Sequence, residues 1–254
     1  MGGGNDKTMH LQFGGKRLLI LGGSCDLAIA LTECAIRAGL FPLLTFRNKE
    51  RERHIAEKLP NTSQYDTCYL DFADRSSLNF LLNKVGKRLD FLVDFAQGDF
   101  ESLIASANEM RIYSYLAENI AFRAEMLKKV SRVMLQNGKG RMIFVSSSAA
   151  VRLNQGQGFY AASKLAAEAL YKSIGLELGS FGITTVSLRP GYIGEGRGKT
   201  FIQKQGEAIL QKIPIHRVLH SQEVAETILF LLSESARGFN ATEILMDGGL
   251  TAGK

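Results

Sequence analysis

Short apolar runs alternate with longer amphipathic stretches along most of the chain. Residues 16–21, 41–46, 65–70, 89–93, 142–145 and 182–188 are brief, rich in aliphatic, aromatic and β-branched side chains, and bounded by Gly, Pro, Asn or Asp. That pattern predicts strands, and runs this continuously apolar fit a parallel sheet buried on both faces. Between them, a helix runs to Arg37 and others cover 74–87, 107–136, 158–178 and 221–233, each dense in helix formers. Strand and helix in alternation predict an α/β fold with a doubly wound sheet and its chemistry at the C-terminal strand ends.

Composition narrows this picture. At 254 residues and 45% hydrophobic content the chain can fill one core, so residues 13–254 read as a single domain behind a flexible lead-in at 1–12. The net charge of +6 comes from Lys and Arg scattered through amphipathic segments, which describes a solvated surface and not a nucleic-acid footprint. It also suits a phosphorylated cofactor or an acidic carrier protein. Cys25, Cys34 and Cys68 are odd in number and lack metal-ligand spacing with the four histidines, so no metal site is expected and all three read as free thiols in a reducing cytoplasm. No stretch reaches the roughly 18 apolar residues of a membrane span.

The densest chemistry lies between Ser146 and Lys164. The strand at 142–145 delivers Ser146, Ser147 and Ser148 at its C-terminal end, and the helix that follows places Tyr160 and Lys164 on one face, four residues apart. A phenol titrating near 10 is a slow proton donor at neutral pH, and a neighbouring ammonium stabilises its phenolate. A serine hydroxyl beside it can hold a substrate carbonyl oxygen. Taken alone, the Tyr/Lys spacing also describes an ordinary surface pair worth a few tenths of a kcal/mol.

Ser147 stands 13 positions before Tyr160, and this pattern resembles the short-chain dehydrogenase/reductase superfamily. The resemblance implies that Ser147 orients the carbonyl, with Ser146 and Ser148 as rivals. It implies that Tyr160 is the acid/base and that Lys164 lowers the Tyr pKa and contacts the nicotinamide ribose. Asn119, 25 positions after Asp94, matches the family's fourth catalytic residue, which holds a water in a proton relay.

A nicotinamide dinucleotide is the implied cofactor. Gly22-Gly23-Ser24-Cys25-Asp26-Leu27-Ala28 reads as a Gly-rich turn into a helix, where backbone amides and the helix N-terminus favour a pyrophosphate. The family writes Thr-Gly-x-x-x-Gly-x-Gly; Leu21, Gly22, Asp26 and Ala28 stand at those four positions, so only Gly22 is in register. Asp26 reads either as an N-cap or as a carboxylate opposing the phosphates. At the end of the second strand Arg47 stands where NAD-selective folds carry an acid; it either meets a 2′-phosphate or begins a solvated charged run. Asp71-Phe72 resembles the adenine edge, Ala96 is what remains of an Asn-Asn-Ala-Gly motif, and Pro190-Gly191 with Ile193 resembles the nicotinamide loop, with Glu195 replacing its Thr. With Gly22, Ser24, Asp26, Leu27, Arg47, Tyr160 and Lys164 these complete the expected cofactor set. Asp247-Gly248-Gly249 resembles the family's ending after a seventh strand.

The expectation is a Rossmann-like, three-layer α/β/α fold with seven parallel strands, housing a reductase of ketones that prefers NADP(H) to NAD(H). Its nearest resemblance is to 3-oxoacyl-(acyl carrier protein) reductases, acting on a small-molecule or carrier-bound carbonyl. The Tyr-x-x-x-Lys spacing speaks against the enoyl reductase branch. A mobile lid is expected at about 194–215, where glycines are dense. Apolar Met126, Leu135 and Leu170 on the long helices suggest a homo-oligomer, tetramer or dimer. The departures at Asp26, Asp94 to Gln97 and Glu195 leave a non-catalytic dinucleotide-binding scaffold as the alternative.

Overall fold

In a computed structural model of the chain, residues 10–196, Lys199, Ile202 and 207–252 are described. The strands are β1 (Arg17–Leu21), β2 (Phe41–Phe46), β3 (Asp66–Tyr69), β4 (Phe91–Asp94), β5 (Gly140–Val145), β6 (Ile183–Pro190) and β7 (Thr242–Met246). They form one sheet in the order β3-β2-β1-β4-β5-β6-β7, parallel throughout. Reversal of strand order on either side of β1 creates the crevice where α/β folds bind ligands.

The helices are α1 (Asp26–Arg37), α2 (Lys49–Lys58), α3 (Ser77–Val85), α4 (Glu109–Leu116), α5 (Arg123–Asn137), α6 (Gly158–Leu178) and α7 (Ser221–Leu232). Alternate residues of β1 feed opposite faces, as the two-residue strand period requires. Leu18 and Ile20 join the core under α1 and α7; Leu19 and Leu21 join the one under α3, α5 and α6. The sheet is therefore covered on both sides, which accounts for strands apolar from end to end.

Four local readings change. The helix expected over 107–136 runs without a break from Glu109 to Asn137, but a π-helical segment, Ala117–Phe122, lies between α4 and α5 and contains Asn119. Asp26 is not the N-cap of α1. Cys25 holds that place and Asp26 is the first helical residue, where its charge favours the helix N-terminus without closing a cap. Met126 is fully buried in the core, so it offers no outward apolar face, while Leu135 and Leu170 pack against the core and stay partly exposed. Within the lead-in, the Gln12 carbonyl already accepts the Glu234 amide at 2.8 Å, while residues 1–9 lie outside the described residues.

Part of the expected lid, including Arg197 and Gly198, also lies outside the described residues. Its stem is held: Ile193 bridges to Leu219, and the Gly194 amide donates to the Leu219 carbonyl at 2.9 Å.

Candidate active site

The C-terminal ends of β1 to β6 open into one cleft of about 850 Å³. Every residue expected in the site lines it: Ser147, Tyr160, Lys164 and Asn119, together with Gly22, Ser24, Asp26, Leu27, Arg47, Asp71, Phe72, Ala96, Pro190, Gly191 and Ile193. These come from eight separate stretches of sequence, and the parallel sheet brings them to one edge.

At one end of the cleft, Lys164 is buried on α6, and its ammonium donates to the Val145 carbonyl at 2.8 Å. It sits 4.8 Å from the Phe144 ring centroid and 5.7 Å from that of Tyr160, within reach of both ring quadrupoles. Tyr160 lies one turn earlier on the same face and is partly exposed to the cleft. The Ser147 hydroxyl oxygen accepts the Ala149 amide at 3.1 Å, which caps a short 3-10 turn and leaves its own proton to donate. Ser146 and Ser148 also line the cleft; the buried Ser146 hydroxyl has no hydrogen-bond partner among the described residues.

Helix α6 is clamped to the strand beside it. Arg189, the residue before Pro190, forks onto the buried Glu168 at 2.8 and 2.6 Å, and Glu168 lies one turn after Lys164. This charge-assisted pair holds the Arg189 guanidinium above its usual pKa and ties the Lys164 helix to the Pro190-Gly191 loop. A Cβ on Gly191 would fall 2.8 Å from the Asp247 Cα, so the loop can pass there only as glycine.

Asn119 is almost wholly buried. Its Oδ1 accepts the Gly98 backbone amide at 2.8 Å and the Gln97 side-chain Nε2 at 3.1 Å, its Nδ2 donates to the Tyr115 carbonyl at 2.9 Å, and its backbone carbonyl accepts from Arg123. Gln97, where the family has Gly, also donates to the Tyr115 hydroxyl at 2.8 Å and to Ser163 at 3.0 Å. Burial raises the Tyr115 hydroxyl above its usual pKa, partly opposed by the Ser163 and Gln97 bonds, so it stays protonated.

The other end of the cleft fits a dinucleotide. Gly22 adopts φ +70°, and a Cβ there would fall 2.9 Å from the Ala96 backbone nitrogen. Its amide is tied to Thr45 Oγ1 at 3.0 Å and the next amide to the Thr45 carbonyl at 2.9 Å, which fixes the turn into α1. The N-cap residue Cys25 makes no side-chain cap bond, and the N-terminal turn of α1 lines the cleft, where first-turn amides suit a pyrophosphate. Arg47 is exposed at the β2 end, just before the Asn48 cap of α2. Arg51 and His54, three residues apart on one face of α2, line the same end and were missed by reading residues singly. Glu195, in place of the family's Thr, accepts the Ser221 amide and hydroxyl, both at 3.0 Å, and so caps α7.

A seven-stranded parallel sheet, a glycine turn under a helix N-terminus and a Ser, Tyr and Lys gathered at one strand end define the class, and comparison with known proteins agrees. The sequence profile of the family described as enoyl-(acyl carrier protein) reductase matches residues 26–251, and the chain belongs to the short-chain dehydrogenase/reductase superfamily. It is an oxidoreductase of the kind acting on CH–OH and C=O groups.

Among particular relatives, the 3-oxoacyl-(acyl-carrier-protein) reductase FabG of Rickettsia conorii is 28% identical over 236 residues, covering 93% of this chain and 97% of its own. FabG of Escherichia coli is 26% identical over 243 residues, covering 94% and 99%. The solved structure of a short-chain type dehydrogenase/reductase from Mycobacterium ulcerans superposes with a TM-score of 0.86 at 23% identity, over 94% of this chain and 91% of that one, and shares its fold. The family description carries an enoyl reductase name, while both of these relatives are named 3-oxoacyl reductases.

Proposed function

We propose that the protein is an NADPH-dependent reductase that converts a ketone into a secondary alcohol, of the 3-oxoacyl-(acyl carrier protein) reductase kind. The observation that carries this reading is the convergence, in one cleft, of Ser147, Tyr160 and Lys164 with a glycine turn built for a dinucleotide. The cofactor would be held by the amides of the Gly22 turn, by Asp71 and Phe72 at the adenine edge, by Arg47 at a 2′-phosphate, and by Ala96, Lys164 and the Pro190-Gly191-Ile193 loop. When bound, it supplies the hydride for the carbonyl carbon. Ser147 donates a hydrogen bond to the substrate oxygen. Tyr160 gives its proton to that oxygen as negative charge develops there, and the Lys164 ammonium stabilises the phenolate that remains.

Lys164 is anchored for this role by the Val145 carbonyl, which fixes the ammonium without neutralising it. Cys25, Cys34 and Cys68 form no disulfide among the described residues, which suits a reducing cytoplasm. A homo-oligomer, tetramer or dimer, is supported by apolar side chains other than those expected: Leu176 of α6 is 71% exposed, and Met110 and Tyr113 of α4 are 77% and 73% exposed.

The test is Tyr160→Phe, with turnover on a panel of ketones and NADPH affinity measured side by side. Turnover should vanish while affinity stays near wild type, because the phenol proton goes and the phosphate sites remain. A variant with wild-type turnover refutes the mechanism. A wild type that binds NADPH and reduces nothing favours the scaffold reading.

A further inference from the structure

Beneath the cleft floor lies a charged cluster to which the proposed chemistry assigns no task. Asp94 and Arg123 are both fully buried and paired, Arg123 Nε to Asp94 Oδ2 at 2.9 Å. The Tyr171 hydroxyl donates to the same oxygen at 3.0 Å, and the Ala96 amide donates to Oδ1 at 2.9 Å. Burial, reinforced by Asp94, pushes the Tyr171 hydroxyl well above its usual range, so it remains a donor.

Charges are a costly filling for a core, since apolar residues of similar volume often stabilise as well or better. The use of this pair is visible in where the remaining guanidinium donors go. Arg123 NH1 donates to the Asn119 carbonyl and NH2 to the Ala96 carbonyl. The guanidinium lies between the Phe72 and Phe144 rings, with centroids at 5.3 and 5.4 Å. The π turn displaces helix carbonyls from the usual ladder, and Arg123, four residues after Asn119, reaches back to the one it needs. One planar fork thus grips both the strap after β4 and the turn carrying Asn119, at the place where a Gly98 Cβ would fall 2.9 Å from Asn119 Nδ2.

We propose that Arg123 is a positioning residue: it locks Asn119 and the 95–98 strap in the geometry that reduction requires, and Asp94 with Tyr171 keeps its charge in the core. The departure from the family's Asn-Asn-Ala-Gly motif is then a replacement support and not a sign of decay. The proposal rests on the reductase reading for its kinetic part and on the observed contacts alone for its anchoring part.

Two variants of the full chain test it. Arg123→Lys retains a cation for Asp94 but lacks the fork, so it cannot hold both carbonyls. The pair Asp94→Asn with Arg123→Met removes both charges together and avoids an unpaired buried carboxylate. Amide hydrogen exchange is followed in peptides covering 95–98 and 117–123 against β1 and β5 as internal references, and kcat and KM are measured for a reduced ketone. Both variants should exchange about tenfold faster in the two segments only. Their kcat should fall by about tenfold to a hundredfold, as expected for misplaced groups, with KM for the ketone little changed. Wild-type exchange in the Lys variant overturns the proposal, whether or not the double variant folds. Faster exchange with wild-type kcat overturns it as well, since the pair would then serve the fold alone. A wild type that reduces no ketone sinks the reductase reading instead, and the exchange comparison then decides the anchor by itself.

Discussion

Replacing Gly22 by Ala should destabilise the protein by about 2–5 kcal/mol, and the structure supplies both parts of that figure. The first is conformational. At φ +70° a side chain costs roughly 1–2 kcal/mol, because its Cβ crowds the following carbonyl. The second is steric. The added carbon would meet three backbone atoms, Ala96 N at 2.9 Å, Ala96 Cα at 3.0 Å and the Phe95 carbonyl carbon at 3.1 Å, none of which can swing aside as a side-chain tip would. Crowding of this kind costs about 1–3 kcal/mol. Gly39 isolates the first part, since it has φ +77° and nothing within 4 Å of the methyl carbon that an alanine would add. Gly39→Ala should therefore cost only that first part, about 1–2 kcal/mol. Urea unfolding at constant m-value gives both numbers, and the Gly22 variant should also bind NADPH more weakly because the Ala96 strap shifts. Equal losses in the two variants would refute the close approach.

Arg47→Ala should weaken NADPH by about tenfold and leave NADH nearly unchanged, since an exposed charge-assisted bond lies near the lower end of 1.5–3 kcal/mol; equal losses for both coenzymes, or a wild type preferring NADH, would remove Arg47 from the 2′-phosphate site. Glu223 is held from its ordinary 4.5 down to about 2, first by the Arg217 fork and then by the His220 amide. Its stabilisation is therefore full above pH 4.5 and gone once the pH falls through about 2, and solvent screening of this half-exposed pair limits it to less than about 1 kcal/mol. Glu223→Gln should flatten that part of the acid limb in urea titrations, and an unchanged acid limb would show the pair to be inert. Light scattering at micromolar concentration should give a dimer or tetramer, with Leu176→Glu shifting it toward monomer; a monomeric wild type would count against assembly through α6.

What the sequence revealed, and what it hid, divides by the range of the interaction involved. Strands came through because a sheet covered on both faces leaves unbroken apolar runs such as Leu18-Leu19-Ile20-Leu21. Ser147, Tyr160 and Lys164 were legible because a strand end and one helical face fix their spacing locally. The cap reading of Asp26 fails by one residue of boundary, which hydrophobic periodicity does not resolve. The π turn at Asn119 was hidden for a different reason: Arg123 reaches carbonyls on two segments there, and no local pattern announces such a reach. Met126 shows the same limit, since an apolar helix residue looks identical whether a sheet or a second subunit covers it. Glu195 looks like erosion until its carboxylate meets the first amide of α7.

Strand order also governs how this molecule must be made. β1 lies inside the sheet, yet on one side it pairs with β2, which follows directly, and on the other with β4, which arrives about seventy residues later. During synthesis β1, β2 and β3 can assemble first, and until Phe91-Leu92-Val93 emerges, the inner edge of β1 presents four apolar residues with open hydrogen-bonding groups. Ser147, Tyr160 and Lys164 come later still, so the edge that carries them forms only after this vulnerable interval has closed. Pairings this distant in sequence fold slowly, which makes the interval between β3 and β4 the period in which a chaperone would find its grip on the chain.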